Sequence, residues 1–128
     1  MSWSRHTFSV RTTSDHQTVT LHSLVIYPFV IHRRVKEGRG GRWVVDNARQ
    51  TRGYVITHLL TGASVAQSRT WSYRGEREVL TMVQARHRAI EVAKELTAYP
   101  EFLLSDVELI QSGPNKSSIR SLVKTLWD

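Results

Sequence analysis

Tyr54-Val55-Ile56-Thr57-His58-Leu59-Leu60, then Thr61-Gly62, then Ala63-Ser64-Val65-Ala66-Gln67-Ser68-Arg69-Thr70-Trp71 decide the fold class of this 128-residue chain. The first run is rich in β-branched and bulky apolar residues, and Thr-Gly supplies a two-residue turn, so the stretch predicts a β-hairpin. With that turn, Leu60 faces Ala63, His58 faces Val65, Ile56 faces Gln67 and Tyr54 faces Arg69. One face carries Tyr54, Ile56, His58 and Leu60, the other Val55, Thr57 and Leu59. Neither is cleanly apolar, so the pattern leaves open which one receives a helix.

Beyond the hairpin the apolar period changes from two to 3.6. Met82, Val83, Ala85, Ala89, Ile90, Val92, Ala93 and Leu96 fall on one arc at 100° per residue, with Gln84, His87, Arg88, Glu91, Lys94 and Glu95 opposite. This predicts an amphipathic helix from about Glu76 to Ala98. Gly75 marks its start, Glu76 and Glu78 lie near the positive end of its dipole, and Pro100 stops it by disfavouring helical geometry at Tyr99. Arg86 is the exception, since it projects near the centre of the apolar arc. It is expected to snorkel past the core or to pair with a buried acid.

Upstream, Thr7 to Thr13 alternates as a strand, and Ser14-Asp15-His16-Gln17 offers a turn. A second strand begins near Thr18 with Val19, Leu21, Ser23 and Val25 on one face. Pro28 lacks a ladder donor, which predicts a bent strand running on to about Val35. Residues 36–42 carry three glycines and form a mobile loop or a wide hairpin tip, followed by a strand over Trp43-Val44-Val45. Downstream, residues 106–110 are a candidate last strand. After the Ser112-Gly113-Pro114-Asn115 break, Ile119, Leu122, Val123 and Leu126 mark a short helix over about 117–127. That helix docks on the sheet edge or on a partner, a second copy of the chain included. The resulting expectation is one α+β domain over residues 1–128. Five or six mostly antiparallel strands form one sheet, packed by one long helix, with a short C-terminal helix.

Composition narrows the function. No cysteine occurs, which excludes disulfides, thiolate nucleophiles and cysteine-based zinc sites. The apolar run from Leu24 to Ile31 falls far short of the ~20 residues that cross a bilayer and is not built as a secretory signal, so no membrane and a cytoplasmic location are expected. Six histidines are present, yet none lies at zinc-ligand spacing, and His58 is expected to be packed or hydrogen-bonded. Asp106 and Glu108 form the only close acidic pair suited to Mg²⁺, and no lysine follows them at nuclease spacing. With no phosphate loop, nucleophile elbow or dinucleotide fingerprint, the reading is a non-enzyme with no metal and no cofactor.

Charge supplies the positive signal. The chain holds 18 Lys and Arg against 11 Asp and Glu, a net +7 and a pI near 10.4. Fourteen of those cations are arginine, whose fork suits phosphate and carboxylate. Seven lie between Arg33 and Arg52: Arg33, Arg34, Lys36, Arg39, Arg42, Arg49 and Arg52, against the two acids Glu37 and Asp46. Arginines on a glycine-loosened loop can track phosphates, so these seven are the candidate nucleic-acid contacts. Trp43 beside them could stack on a base, although a tryptophan there more naturally anchors the core. A second candidate is the strand-to-helix connection with Arg69, Trp71, Tyr73, Arg74 and Arg77, an aromatic and arginine mixture suited to a protein hot spot. Two functions follow. The first is a small nucleic-acid-binding module. The alternative is a protein-binding accessory factor or inhibitor, in the style of phage-encoded regulators, acting on an acidic surface of a nucleic-acid-processing machine.

Overall fold

Alternation along Thr7-Phe8-Ser9-Val10-Arg11 places Phe8 and Val10 inward, and the strand they lie on pairs with the longest strand among the described residues. The computed structural model describes residues 2–12, 15–46, 53–67 and 81–106. Within them lie β1 (Ser4–Arg11), β2 (His16–Ile26), β3 (Phe29–Arg33), β4 (Val35–Glu37), β5 (Trp43–Val45), β6 (Tyr54–His58), β7 (Ser64–Gln67) and the helix α1 (Met82–Leu96). The fold is α+β: an antiparallel sheet of five strands in the order β1-β2-β3-β6-β7, packed by α1. β4 and β5 do not join it, contrary to the expectation of one sheet. They pair with each other as a separate two-stranded hairpin, Val35 with Val45 and Glu37 with Trp43.

The run Leu24–Ile31 is a hairpin rather than a bent strand. Pro28 cannot donate to a ladder, and it sits in a two-residue Tyr27-Pro28 turn (cis peptide) between Ile26 and Phe29, which face each other. His16 and Gln17, expected in a turn, already pair with Arg11 and Val10 in the ladder.

The two faces of the sheet carry two cores. On one, Leu24, Ile26, Phe29, Ile31, Ile56 and Ala66 meet Ala89, Val92, Ala93 and Leu96 of α1, with Phe102 sealing the end. On the other, Phe8, Val10, Val19, Leu21 and Val30 are covered by Val35, Trp43 and Val45 of the small hairpin. The face left open by the sequence is therefore resolved, because Tyr54, Ile56 and His58 turn toward α1 and Phe102. The Arg11 N–H donates to the Gly62 carbonyl at 2.7 Å, joining edge strand β1 to the β6–β7 turn. The sheet thus curls around the second core.

The central hairpin does not adopt the register of a two-residue turn. Thr57 faces Ser64, Ile56 faces Ala66 and Val55 faces Gln67, with Val65 the extra residue of a β-bulge. Two bonds cause the shift. The Leu59 N–H donates to the Pro28 carbonyl at 2.9 Å, drawing Leu59 out of the ladder, and the Gly62 N–H closes a wider turn on the His58 carbonyl at 2.7 Å. The bulge lets both Val65 and Ala66 pack on the first core.

α1 begins at Met82, not near Glu76. Thr81 is extended at ψ 163° and its hydroxyl accepts from the Gln84 N–H, while the Gln84 side chain accepts from the Thr81 N–H. This reciprocal box satisfies two donors of the first turn. The helix caps at Thr97, and Tyr99 is extended ahead of Pro100, as the proline requires. Val83, placed in the apolar arc by sequence, is 65% exposed, because the helix meets β3 and β6 along a narrower stripe centred on Ala85, Ala89, Val92 and Leu96. Gly75, Glu76 and Glu78, residues 107–110 of the strand expected over 106–110, and the C-terminal helix over 117–127 lie outside the described residues.

Candidate nucleic-acid interface

The small hairpin carries its cations in a defined order. Val35, Trp43 and Val45 turn inward against the second core, so Lys36 and Val44, which face each other, point out by alternation. The tip between the strands is a single 3-10 turn over Arg39–Gly41, closed by the Gly38 N–H donating to the Arg42 carbonyl at 2.6 Å. Gly40 takes φ 71° with open space around it, and this left-handed residue turns the chain between Arg39 and Arg42. Both arginines are exposed, as is Lys36, whose ammonium lies 3.9 Å from the Asp46 carboxylate. Glu37 reaches back toward Gly41, so one carboxylate stands among the tip cations.

Arg33 and Arg34 sit at the root of this hairpin and are half-buried. Arg33 closes β3 opposite Tyr54, and the Arg34 carbonyl accepts from the Asp46 N–H at 2.7 Å, extending the β4–β5 ladder by one rung. Of the seven expected phosphate contacts, Lys36, Arg39 and Arg42 thus gather on one exposed hairpin and Arg33 and Arg34 at its base. Arg49 and Arg52 lie outside the described residues, as do Arg69, Trp71, Tyr73, Arg74 and Arg77. Trp43 packs on the second core and is not a free stacking platform.

A second cationic surface escaped the sequence reading. Trp3 packs against the first core, stacks on His22 with ring centroids 6.1 Å apart, and meets Tyr54 edge-on at 5.7 Å. The Arg86 guanidinium lies 4.0 Å from the Trp3 ring centroid. The tryptophan face accommodates the charge of Arg86, and among the described residues no acid pairs with it. Away from Trp3 the same face of the β1–β2 ladder is polar, with the pairs Arg5–His22, Thr7–Thr20, Ser9–Thr18 and Arg11–His16. All of these except Ser9 are exposed. The signal was readable in principle as the alternation of polar residues in β1 and β2, but it appears only once the two strands are paired.

The two buried histidines are structural. His32 sits between Phe8 and Thr57. Its Nδ1–H donates to the Arg33 carbonyl at 2.6 Å, which leaves Nε2 to accept from the Thr57 hydroxyl at 2.6 Å. Burial pushes its pKa from 6.5 down to about 4, against a smaller opposing effect of the Arg33 bond. His58 donates from Nε2 to the Phe102 carbonyl and accepts at Nδ1 from the Thr61 hydroxyl at 2.8 Å. Burial lowers its pKa too, with the Phe102 bond opposing. With both nitrogens engaged, neither ring offers a lone pair to a substrate. Among the described residues no three His, Cys, Asp or Glu side chains stand within reach of one metal ion, and no helix is long and apolar enough to cross a membrane. Comparison with known families, curated proteins and solved structures finds no match.

Proposed function

We propose that this protein is a non-enzymatic nucleic-acid-binding module that contacts phosphates through the tip of the β4–β5 hairpin. One observation carries the reading. Arg39 and Arg42 stand exposed on either side of a glycine turn, on a hairpin whose inner side is fixed to the core by Val35, Trp43 and Val45. Such a hairpin presents guanidinium groups to a phosphate backbone with a firm base and an adaptable tip. It offers no aromatic platform for a base, so the contact is electrostatic and tolerant of sequence.

The test is salt dependence. Each neutralised phosphate releases condensed counterion, so log affinity falls linearly with log salt. In Arg39→Ala/Arg42→Ala, affinity for DNA or RNA should drop for every sequence tried, and the slope should shrink by about two. The folded state should survive, because both side chains lie in solvent. An unchanged slope sinks the hairpin as the contact. Binding of an acidic protein with no affinity for either nucleic acid at low salt would favour the accessory-factor reading instead.

A further inference from the structure

We infer that the outer face of the β1–β2 ladder, beside the Arg86 flank of α1, is a second contact surface and that its occupant is single-stranded nucleic acid. This rests on the nucleic-acid reading above and deepens it by naming a second surface and a strand state. α1 lies over β3 and β6, so this outer face of β1 and β2 stays exposed to solvent. The result is a shelf two strands across, roughly 5 Å between strands, with a helix roughly 10 Å thick standing along one side.

Among the described residues the charge on that shelf is of one sign. Arg5 and Arg11 sit near its two ends, six residues apart on one strand face and so about 20 Å from each other. The hydroxyls of Thr7 and Thr20 lie between them, 2.9 Å apart and exposed. Arg86 stands beside the shelf on the helix, its guanidinium over the Trp3 ring. At 100° per residue Glu91 and Glu95 fall on the far flank of α1, where Glu91 pairs with Arg88 at 3.5 Å. The nearest acid on the ladder, Asp15, sits in the turn, and its carboxylate accepts from the His16 N–H at 2.7 Å. Arginine and threonine along an open sheet face, with no acid on it among the described residues, suit a phosphodiester strand. A duplex presents phosphate rails about 12 Å apart across its major groove, wider than this shelf, so one strand is the better fit.

The experiment compares a fluorescent 20-nucleotide single strand with the same sequence as a duplex. The proteins are the full chain as wild type, Arg5→Ala/Arg11→Ala, Arg5→Lys/Arg11→Lys and Arg39→Ala/Arg42→Ala. Losing two phosphate contacts should weaken single-strand binding roughly 10- to 30-fold at 0.1 M salt and flatten the salt slope by about 1.4. The lysine pair should restore most of that affinity, which a structural defect would not allow. Duplex affinity should change several-fold less. If the ladder variant binds as wild type while the hairpin variant is weakened, this inference falls and the hairpin reading stands. Equal loss for strand and duplex overturns the strand assignment. Displacement of the strand by polyglutamate at equal charge concentration would assign the shelf to an acidic protein and overturn the inference. If no nucleic acid binds any variant, both readings fall together.

Discussion

His32 shows how one residue can fix a pH limit. Its ring is enclosed, pressed near Phe8, and hydrogen-bonded at both nitrogens as the neutral species. The unfolded chain protonates this imidazole near 6.5, the folded chain only near 4. Between those values the unfolded state binds the extra proton, so stability is complete above pH 6.5 and falls as the pH drops toward 4. The 2.5-unit gap corresponds to about 3 kcal/mol at most. His32→Gln should remove much of this pH dependence while lowering stability at pH 7. If wild type and variant show parallel denaturation midpoints between pH 7 and 4.5, the neutral buried ring is wrong. Gly62 is the second such residue. It adopts φ 73°, and a Cβ there would meet the Ser9 carbonyl oxygen at 3.1 Å and the Arg11 nitrogen at 3.2 Å, both backbone atoms with little room to move. Gly62→Ala should therefore cost about 1–3 kcal/mol by chemical denaturation, well beyond the ordinary effect of a surface glycine. A neutral effect would deny the contact between the β6–β7 turn and β1. Neither site stands out in sequence. A glycine after threonine marks a turn, but the strand it abuts lies some fifty residues away.

At the scale of elements, what was legible depended on whether the cause was local. The 3.6-residue period of Ala85, Ala89, Val92 and Leu96 is local, and it placed the helix and most of its buried stripe correctly. Its start was local too, since Thr81 and Gln84 have capping-box spacing, but Gly75 followed by Glu76 and Glu78 offered a rival first turn. The hairpin register was not local, because the Leu59–Pro28 bond that shifts it comes from another strand. The basic tip was visible as a loop, whereas the Arg5–Arg11 face needed β1 and β2 to be paired before its single sign of charge emerged. The helix stripe gives a sharp test. Leu96→Ala removes a fully buried side chain from the first core and should cost ~2–5 kcal/mol. Val83→Ala, on the exposed flank, should stay within about half a kilocalorie. Comparable losses at both positions would mean that α1 is rotated from the orientation described.

At the scale of the whole molecule, β3, like its neighbour β2, contributes side chains to both cores. Its Ile31 faces α1 and its neighbour Val30 faces the second core, and each is completely buried. Strand periodicity allows no other arrangement, since successive side chains leave opposite faces. A core lost on one side removes the support of the other, because β3 is also the strand through which β2 pairs to β6. The two cores should therefore melt as one cooperative unit, even though α1 and the small hairpin lie on opposite faces of the sheet. Val30→Ala tests this directly. It deletes two buried methyl groups from the second core and touches nothing on the helix side, at a cost of about 2 kcal/mol. Followed by circular dichroism at 222 nm, which reports α1, the midpoint should fall as far as it does by the near-ultraviolet aromatic signal of Trp43, which packs on the second core. If the helix signal held its wild-type midpoint while the aromatic signal shifted, the second core would be an independent unit hung on the sheet. The hairpin that carries Arg39 and Arg42 would then lose the rigid base on which its phosphate contact depends.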